Sequence, residues 1–127
     1  MFKAAFSGVS VNNIEDAKKF YTEILGLKLK DDNMGLTILL PGGAELFIYE
    51  KEDHQPATFT ILNFVVEDID KAYDELTKRG VTFNRYDLGA AMKQDDKSIL
   101  RGRAAKMGPD IAWFTDPAGN ILAILQA

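Results

Sequence analysis

Residues 114–126 read FTDPAGNILAILQ, and the fold turns on how this stretch is understood. Asp116, Pro117 and Gly119 hold positions i, i+1 and i+3 of a four-residue turn with type I preferences. The Asp caps the turn, the Pro pre-sets φ, and the Gly relieves the exit. Ile121–Leu125 then runs apolar without a break, as a strand covered on both faces does. With Ile111–Thr115 before the turn, the stretch is a pair of strands joined tightly.

Working outward, a related turn lies in the first half. Leu40-Pro41-Gly42-Gly43 has Pro at i+1 and Gly at i+2, the type II pattern, between strands expected over Leu36–Leu40 and Glu45–Glu50. Pro41 and Gly43 align with Pro117 and Gly119. Upstream of each turn the match continues: Val11-Asn12-Asn13-Ile14-Glu15-Asp16-Ala17 aligns with Val66-Glu67-Asp68-Ile69-Asp70-Lys71-Ala72, and Gly26 with Gly80. Asn13 and Asp68 are N-caps, apolar stripes follow at helical spacing (Ile14 to Leu25; Ile69 to Leu76), and Gly26 and Gly80 end the helices. Strands are expected at Lys3–Val11, Leu27–Lys30, Phe59–Val66 and Val81–Phe83. The chain is therefore an internal repeat of a strand, a helix and three strands, an α+β fold of two tandem βαβββ modules. The expected boundaries are a first module at 1–52, a connector at 53–57 and a second module at 58–127, together forming a single domain over 1–127. The helix covers one face of each sheet, the partner half helps cover the other, and a pocket between the halves is expected. The second module carries a long loop, 87–110. Loops longer than about 12–15 residues are usually lids or disordered, and this one is locally basic.

Composition narrows the function classes. A chain of 127 residues is one compact domain, or two small halves sharing a core, and buries roughly two-thirds of its unfolded surface. It has no cysteine, which excludes disulfides, thiolate metal sites and cysteine nucleophiles and fits a reducing cytoplasm. No apolar run approaches the roughly 20 residues of a membrane span, and the N-terminal residues lack a signal-peptide layout. A cytoplasmic location is expected. The net charge of -4, with both signs intermixed, argues against a general nucleic-acid binder.

Together, the repeat, the VNNIEDAKKFYTEILGL stretch (residues 11–27) and the WFTDPAGNILAIL stretch (residues 113–125) resemble the vicinal oxygen chelate superfamily. That superfamily includes glyoxalase I, extradiol dioxygenases, fosfomycin resistance enzymes and bleomycin resistance proteins. The resemblance covers almost the whole chain and is carried by Phe20, Tyr21, Leu25 and Gly26 and by Asp116, Pro117, Gly119 and Asn120. It implies paired βαβββ modules whose sheets curve around a cavity, and a homodimer. Catalytic members are similar in a metal centre, with a His or Gln on a module's first strand and a Glu on its last. Carried onto this chain, those positions are Phe6, Phe47, Ile61 and Ala123. None has a side chain that binds a cation. The one histidine, His54, lies in a polar connector and reads as a surface residue.

Strand alternation aims Phe6, Gly8 and Ser10, Glu45, Phe47 and Tyr49, Phe59, Ile61 and Asn63, and Ile121, Ala123 and Leu125 at the concave side. That composition fits a small-molecule pocket; it also fits a filled core. Trp113 either stacks on a ligand or packs on the helix, and Tyr49 and Tyr86 pose the same choice. Arg101 and Arg103, flanking Gly102, either close on an anionic ligand or belong to a solvated charged loop. The candidate ligand-binding residues are thus Phe6, Gly8, Glu45, Phe47, Tyr49, Ile61, Asn63, Arg101, Trp113 and Ala123. No catalytic residue, metal ligand or cofactor is assigned. The expected function is metal-free binding of an apolar or aromatic small molecule, anionic ones included, as in bleomycin and antibiotic resistance by sequestration. The alternative is a lyase, isomerase or dioxygenase of the same superfamily, using an unidentified metal site or acid–base residues such as Glu45 or Tyr49.

Overall fold

Two four-stranded sheets carry the chain, one in each of two compact units, Met1–Pro56 and Ala57–Ala127. The computed structural model describes residues 1–89 and 92–127.

In the first unit, β1 (Ser7–Val11) leads into α1 (Ile14–Lys18), which continues as a π-helical turn, Lys19–Ile24. Asn13 caps α1, its side-chain oxygen accepting from the Asp16 amide at 3.0 Å, as the Asn preference at this position anticipates. The chain then returns through β2 (Lys28–Asp31), β3 (Leu36–Leu39) and β4 (Glu45–Glu50). The sheet order is β1-β4-β3-β2, with β1 parallel to β4 and the other pairs antiparallel. Leu36, Ile38, Leu46 and Ile48 are buried, together with Ala17, Phe20 and Tyr21 of the helical segment. Alternation puts Thr37, Glu45, Phe47 and Tyr49 on the other face.

The second unit repeats this plan with β5 (Thr60–Val65), α2 (Ile69–Lys78), β6 (Leu100–Arg101), β7 (Asp110–Thr115) and β8 (Ile121–Gln126), in the order β5-β8-β7-β6. Asp68 caps α2, accepting from Lys71 N at 3.1 Å. A second bond joins each helix start to the end of its unit's last strand. The Ile14 amide donates to Glu50 Oε1, and the Ile69 amide donates to Gln126 Oε1, both at 2.9 Å. Each satisfies one of the orphan amides of a first helical turn.

The Asp116 turn is more than a reversal. The Gly119 amide donates to the Asp116 carbonyl at 3.0 Å. Asp116 Oδ1 accepts from the amides of Ala118 and Asn120, and Oδ2 accepts from Asn120 Nδ2. Both residues are buried, and their mutual bonds offset the cost of that burial.

Two sequence expectations change here. Val81–Phe83 is not a strand: Phe83 makes one isolated bridge, to Phe114. Its ring stacks on Tyr73 of α2 at 4.5 Å and meets Phe114 edge-on at 5.6 Å, so the segment is committed to core packing. The vacant edge of the sheet is taken by β6, from within the loop expected over 87–110. Much of that loop is stitched down. Gln94 Nε2 donates to the carbonyls of Asn84 and Ser98, while its Oε1 accepts from the Tyr86 amide. Asp95 Oδ1 accepts from the amides of Lys97 and Ile99, and Ile99 is fully buried. Residues 90 and 91 of that loop lie outside the described residues. Among the described residues, no helix is long and apolar enough to cross a membrane.

Candidate ligand-binding site

The helix-free face of the first unit gathers five of the predicted residues. Gly8 pairs with Phe47 and Ser10 with Tyr49 in the β1–β4 ladder, and Phe6 precedes β1. Phe47 is the hub. Its ring meets Phe6 edge-on, with centroids 6.3 Å apart, and stacks beside Tyr49 at 6.0 Å and 19°. Phe47 also lies over Gly35, where a Cβ would come within 2.6 Å of the ring tip and 2.7 Å of the Ile48 carbonyl oxygen. Gly35 adopts φ +146°, which is open to glycine and strained for other residues. On the other flank, a Cβ at Gly8 would have only the Phe47 carbonyl oxygen within 4 Å, at 3.9 Å. The row of rings is therefore supported from beneath and has room beside it. Phe6 remains 67% exposed, while Ala123 on the matching face of the second unit is fully buried.

Each end of the row is polar. At one end Lys30 Nζ donates to Glu45 Oε2 at 2.9 Å, and that bond raises the lysine's pKa. At the other end Ser10 Oγ and His54 Nδ1 are 2.7 Å apart. His54 is half-buried, which corrects its reading as a surface residue.

In the second unit, Ala123 pairs with Asn63 on one side and Trp113 on the other, so these three share a helix-free face. Trp113 donates from Nε1 to Thr60 Oγ1 at 3.1 Å and meets Tyr86 edge-on at 5.6 Å. Trp113 therefore does not pack on α2. Ala123 is fully buried. Two predicted residues do not join this face in the expected way. Thr60 pairs with Ile121 and Leu62 with Leu122, which leaves Ile61 as an extra residue, a bulge that breaks the expected alternation of Phe59, Ile61 and Asn63. Thr60 takes the place on the face, and Phe59 is exposed.

Arg101 is the larger correction. It pairs with Asp110 in the β6–β7 ladder, one position out of phase with Ile111 and Trp113, and so points to the helix side. Its Nη1 and Nη2 donate to the two oxygens of Asp70 on α2 at 3.0 and 2.8 Å, and its Nε donates to Asp95 at 2.9 Å. The guanidinium holds the Asp70 carboxyl down at about 2. In turn the Asp70 bond raises the arginine's own pKa. A fork engaged bidentately ties the loop to α2 and is not presented to a ligand on the Trp113 face.

The metal centre that the resemblance implies does not fit these residues. Phe6, Phe47, Ile61 and Ala123 offer no nitrogen or oxygen donor where imidazole or carboxylate is needed. Among the described residues, no group of three or more His, Cys, Asp or Glu side chains is placed to hold a metal ion. The partners that sequence reasoning missed, Gly35, His54, Lys30 and Thr60, are all brought in by non-local contacts that no periodicity or motif signals.

Comparison with known proteins agrees with this architecture. Residues 4–124 match the family model described as the Glyoxalase/Bleomycin resistance protein/Dioxygenase superfamily. The chain is 30% identical over 142 aligned positions to the uncharacterized protein YurT of Bacillus subtilis, covering 98% of both chains. A superfamily member from Sphaerobacter thermophilus superimposes with a TM-score of 0.69 at 24% identity, over 100% of each chain. TnmS3, an antibiotic binding protein from Streptomyces, superimposes with a TM-score of 0.66 at 23% identity, over 99% of this chain and 98% of its own. These structural likenesses establish the fold.

Proposed function

The chain belongs to the glyoxalase/bleomycin resistance protein/dioxygenase superfamily, and within it we propose a metal-free protein that binds and sequesters an apolar or aromatic small molecule. One observation carries this reading. The position where a catalytic member would place a metal ligand on the last strand of the first module holds Phe47, the centre of a supported aromatic row. Sequestration needs affinity and no reactive group, and aromatic walls with a few polar groups are what a small-molecule site uses. TnmS3, with the same fold, is an antibiotic binding protein, which lends this chain a ligand class by analogy.

In this reading Phe6, Gly8, Glu45, Phe47 and Tyr49 contact the ligand on the first unit; Ala123, fully buried, does not. Arg101, engaged by Asp70 and Asp95, no longer supports the anionic part of the expected ligand. The setting is a cytoplasmic homodimer, the dimer being open to light scattering.

Titration of an aromatic probe, 1-methylnaphthalene, tests the function. Binding is expected to survive dialysis against EDTA with affinity unchanged and to fall at least tenfold in Phe47→Ala. Binding lost with EDTA, or a stoichiometric divalent ion removed by a single substitution, overturns the metal-free reading.

A further inference from the structure

We infer that the helix-free face of the second unit is a stacking plate for a flat, neutral ligand that carries a lactam in its ring system, with Asn63 reading the lactam edge. The inference rests on the proposed aromatic-binding function and adds a second contact surface, the ligand's polar group and the residue that recognises it.

The plate is the indole of Trp113. Trp113 lies on β7 and Thr60 on β5, the two strands that flank β8. Neighbouring strands run about 4.8 Å apart, which sets β7 and β5 roughly 10 Å apart. Trp113 Nε1 nevertheless comes within 3.1 Å of Thr60 Oγ1. The indole closes that gap by lying across β8, over the stretch that holds Ala123. Ala123 is fully buried although it belongs to the face without a helix, which a ring laid over it explains. Both units therefore put an aromatic ring at the corresponding places on β4 and β8. Phe47 supplies its own, and Ala123 is covered by its neighbour's. Tyr86 fixes one rim of the plate. Its ring stands at 84° to the indole, with centroids 5.6 Å apart, and its hydroxyl accepts from Asn84 Nδ2 at 3.2 Å.

The opposite rim carries the recognition group. Asn63 pairs with Ala123 in the β5–β8 ladder, which puts its side chain beside the plate on the same face. It is exposed, and among the described residues its carboxamide has no hydrogen-bond partner. The indole N–H is already donated to Thr60, whereas the carboxamide of Asn63 is open at both its oxygen and its nitrogen. The indole face gives affinity for any flat ring; the carboxamide decides which ring. A carboxamide presents a C=O acceptor next to an N–H donor in one plane. A lactam presents the complementary pair, an N–H beside a C=O, so two parallel hydrogen bonds can form. A hydrocarbon edge offers neither. A carboxylate would accept from Nδ2 but set its second oxygen against Oδ1, so the plate favours a neutral ligand.

Trp113 is the only tryptophan in the chain, so tryptophan fluorescence reports on this plate. Titration with isoindolin-1-one and indane, the same bicyclic frame with and without the lactam, tests the inference. Both are expected to change the Trp113 emission on binding, with isoindolin-1-one preferred by roughly fivefold to tenfold, the size of one net hydrogen bond. Asn63→Ala is expected to bring that preference below about twofold while leaving indane affinity unchanged. The unchanged affinity also reports that the variant is folded. If 1-methylnaphthalene binds but neither bicyclic probe moves the emission, the inference is overturned and the aromatic-binding function stands. Equal affinity for the two bicyclic probes in the native chain has the same consequence, as does a preference that survives Asn63→Ala. Failure of all three compounds to bind the native chain overturns the two together.

Discussion

The two units share a backbone plan and differ on the faces their helices leave bare. In both, an Asx side chain caps the helix, and the last strand ends in a side chain that accepts from the first helical amide, Glu50 in one and Gln126 in the other. On the bare face of the first unit, a phenylalanine sits between two further rings over a glycine. At the equivalent place in the second unit, an alanine lies between an asparagine and a tryptophan. Caps and turns set the path of the chain, because their hydrogen bonds must be made whatever the function. Side chains on the bare face do not set that path, so they are free to diverge, and the proposed binding role falls to them.

The strongest challenge to this division compares the two sides of the sheets. Phe114, fully buried on the helix side of the second unit, should cost about 3–5 kcal/mol of stability as Phe114→Ala. Phe47→Ala, on the bare face, should cost less than about 2 kcal/mol because its ring is only partly buried. Urea denaturation reads both, and equal losses would erase the distinction between structural and functional faces.

Next in size is Gly35→Ala. The new methyl group would collide with the Phe47 ring and the Ile48 carbonyl oxygen at a backbone angle that resists substitution. A loss of about 1–3 kcal/mol is expected, together with weaker binding of 1-methylnaphthalene. Stability lost with binding intact would mean that the position of the Phe47 ring does not matter to the site.

The smallest effect separates Arg101 from the site. Arg101→Ala should cost about 1 kcal/mol, given the partial exposure of its ion pairs, and leave probe affinity unchanged. The pH dependence has a definite sign. Asp70 titrates at about 2 in the folded chain, against an ordinary value of 3.8. The stabilisation is therefore complete above the ordinary carboxylate range and is lost as pH falls from about 4 towards 2. Denaturation midpoints across that window should fall more steeply in the native chain than in Arg101→Ala. Weakened probe binding in the variant would return Arg101 to the site.

Much of this protein was legible in its sequence. The Asp116 turn, the repeat and the two caps are local, and their chemistry depends on residues within a few positions of one another. The two-module fold followed from them, as did the placement of Phe47 and Ala123 on the bare faces, since strand alternation has a period of two. Alternation failed at Ile61, where one extra residue in a parallel ladder shifts the register without any signal in composition. Elsewhere the deciding contacts join residues distant in the chain. The edge strand went to Leu100–Arg101 because Phe83 was claimed by Tyr73 and Phe114. Arg101 was claimed by Asp70 and Asp95. His54, which looked like a solvated loop residue, reached Ser10 across the ladder. A sequence specifies which groups seek partners; when several distant partners compete for one group, only the folded chain decides which contact forms.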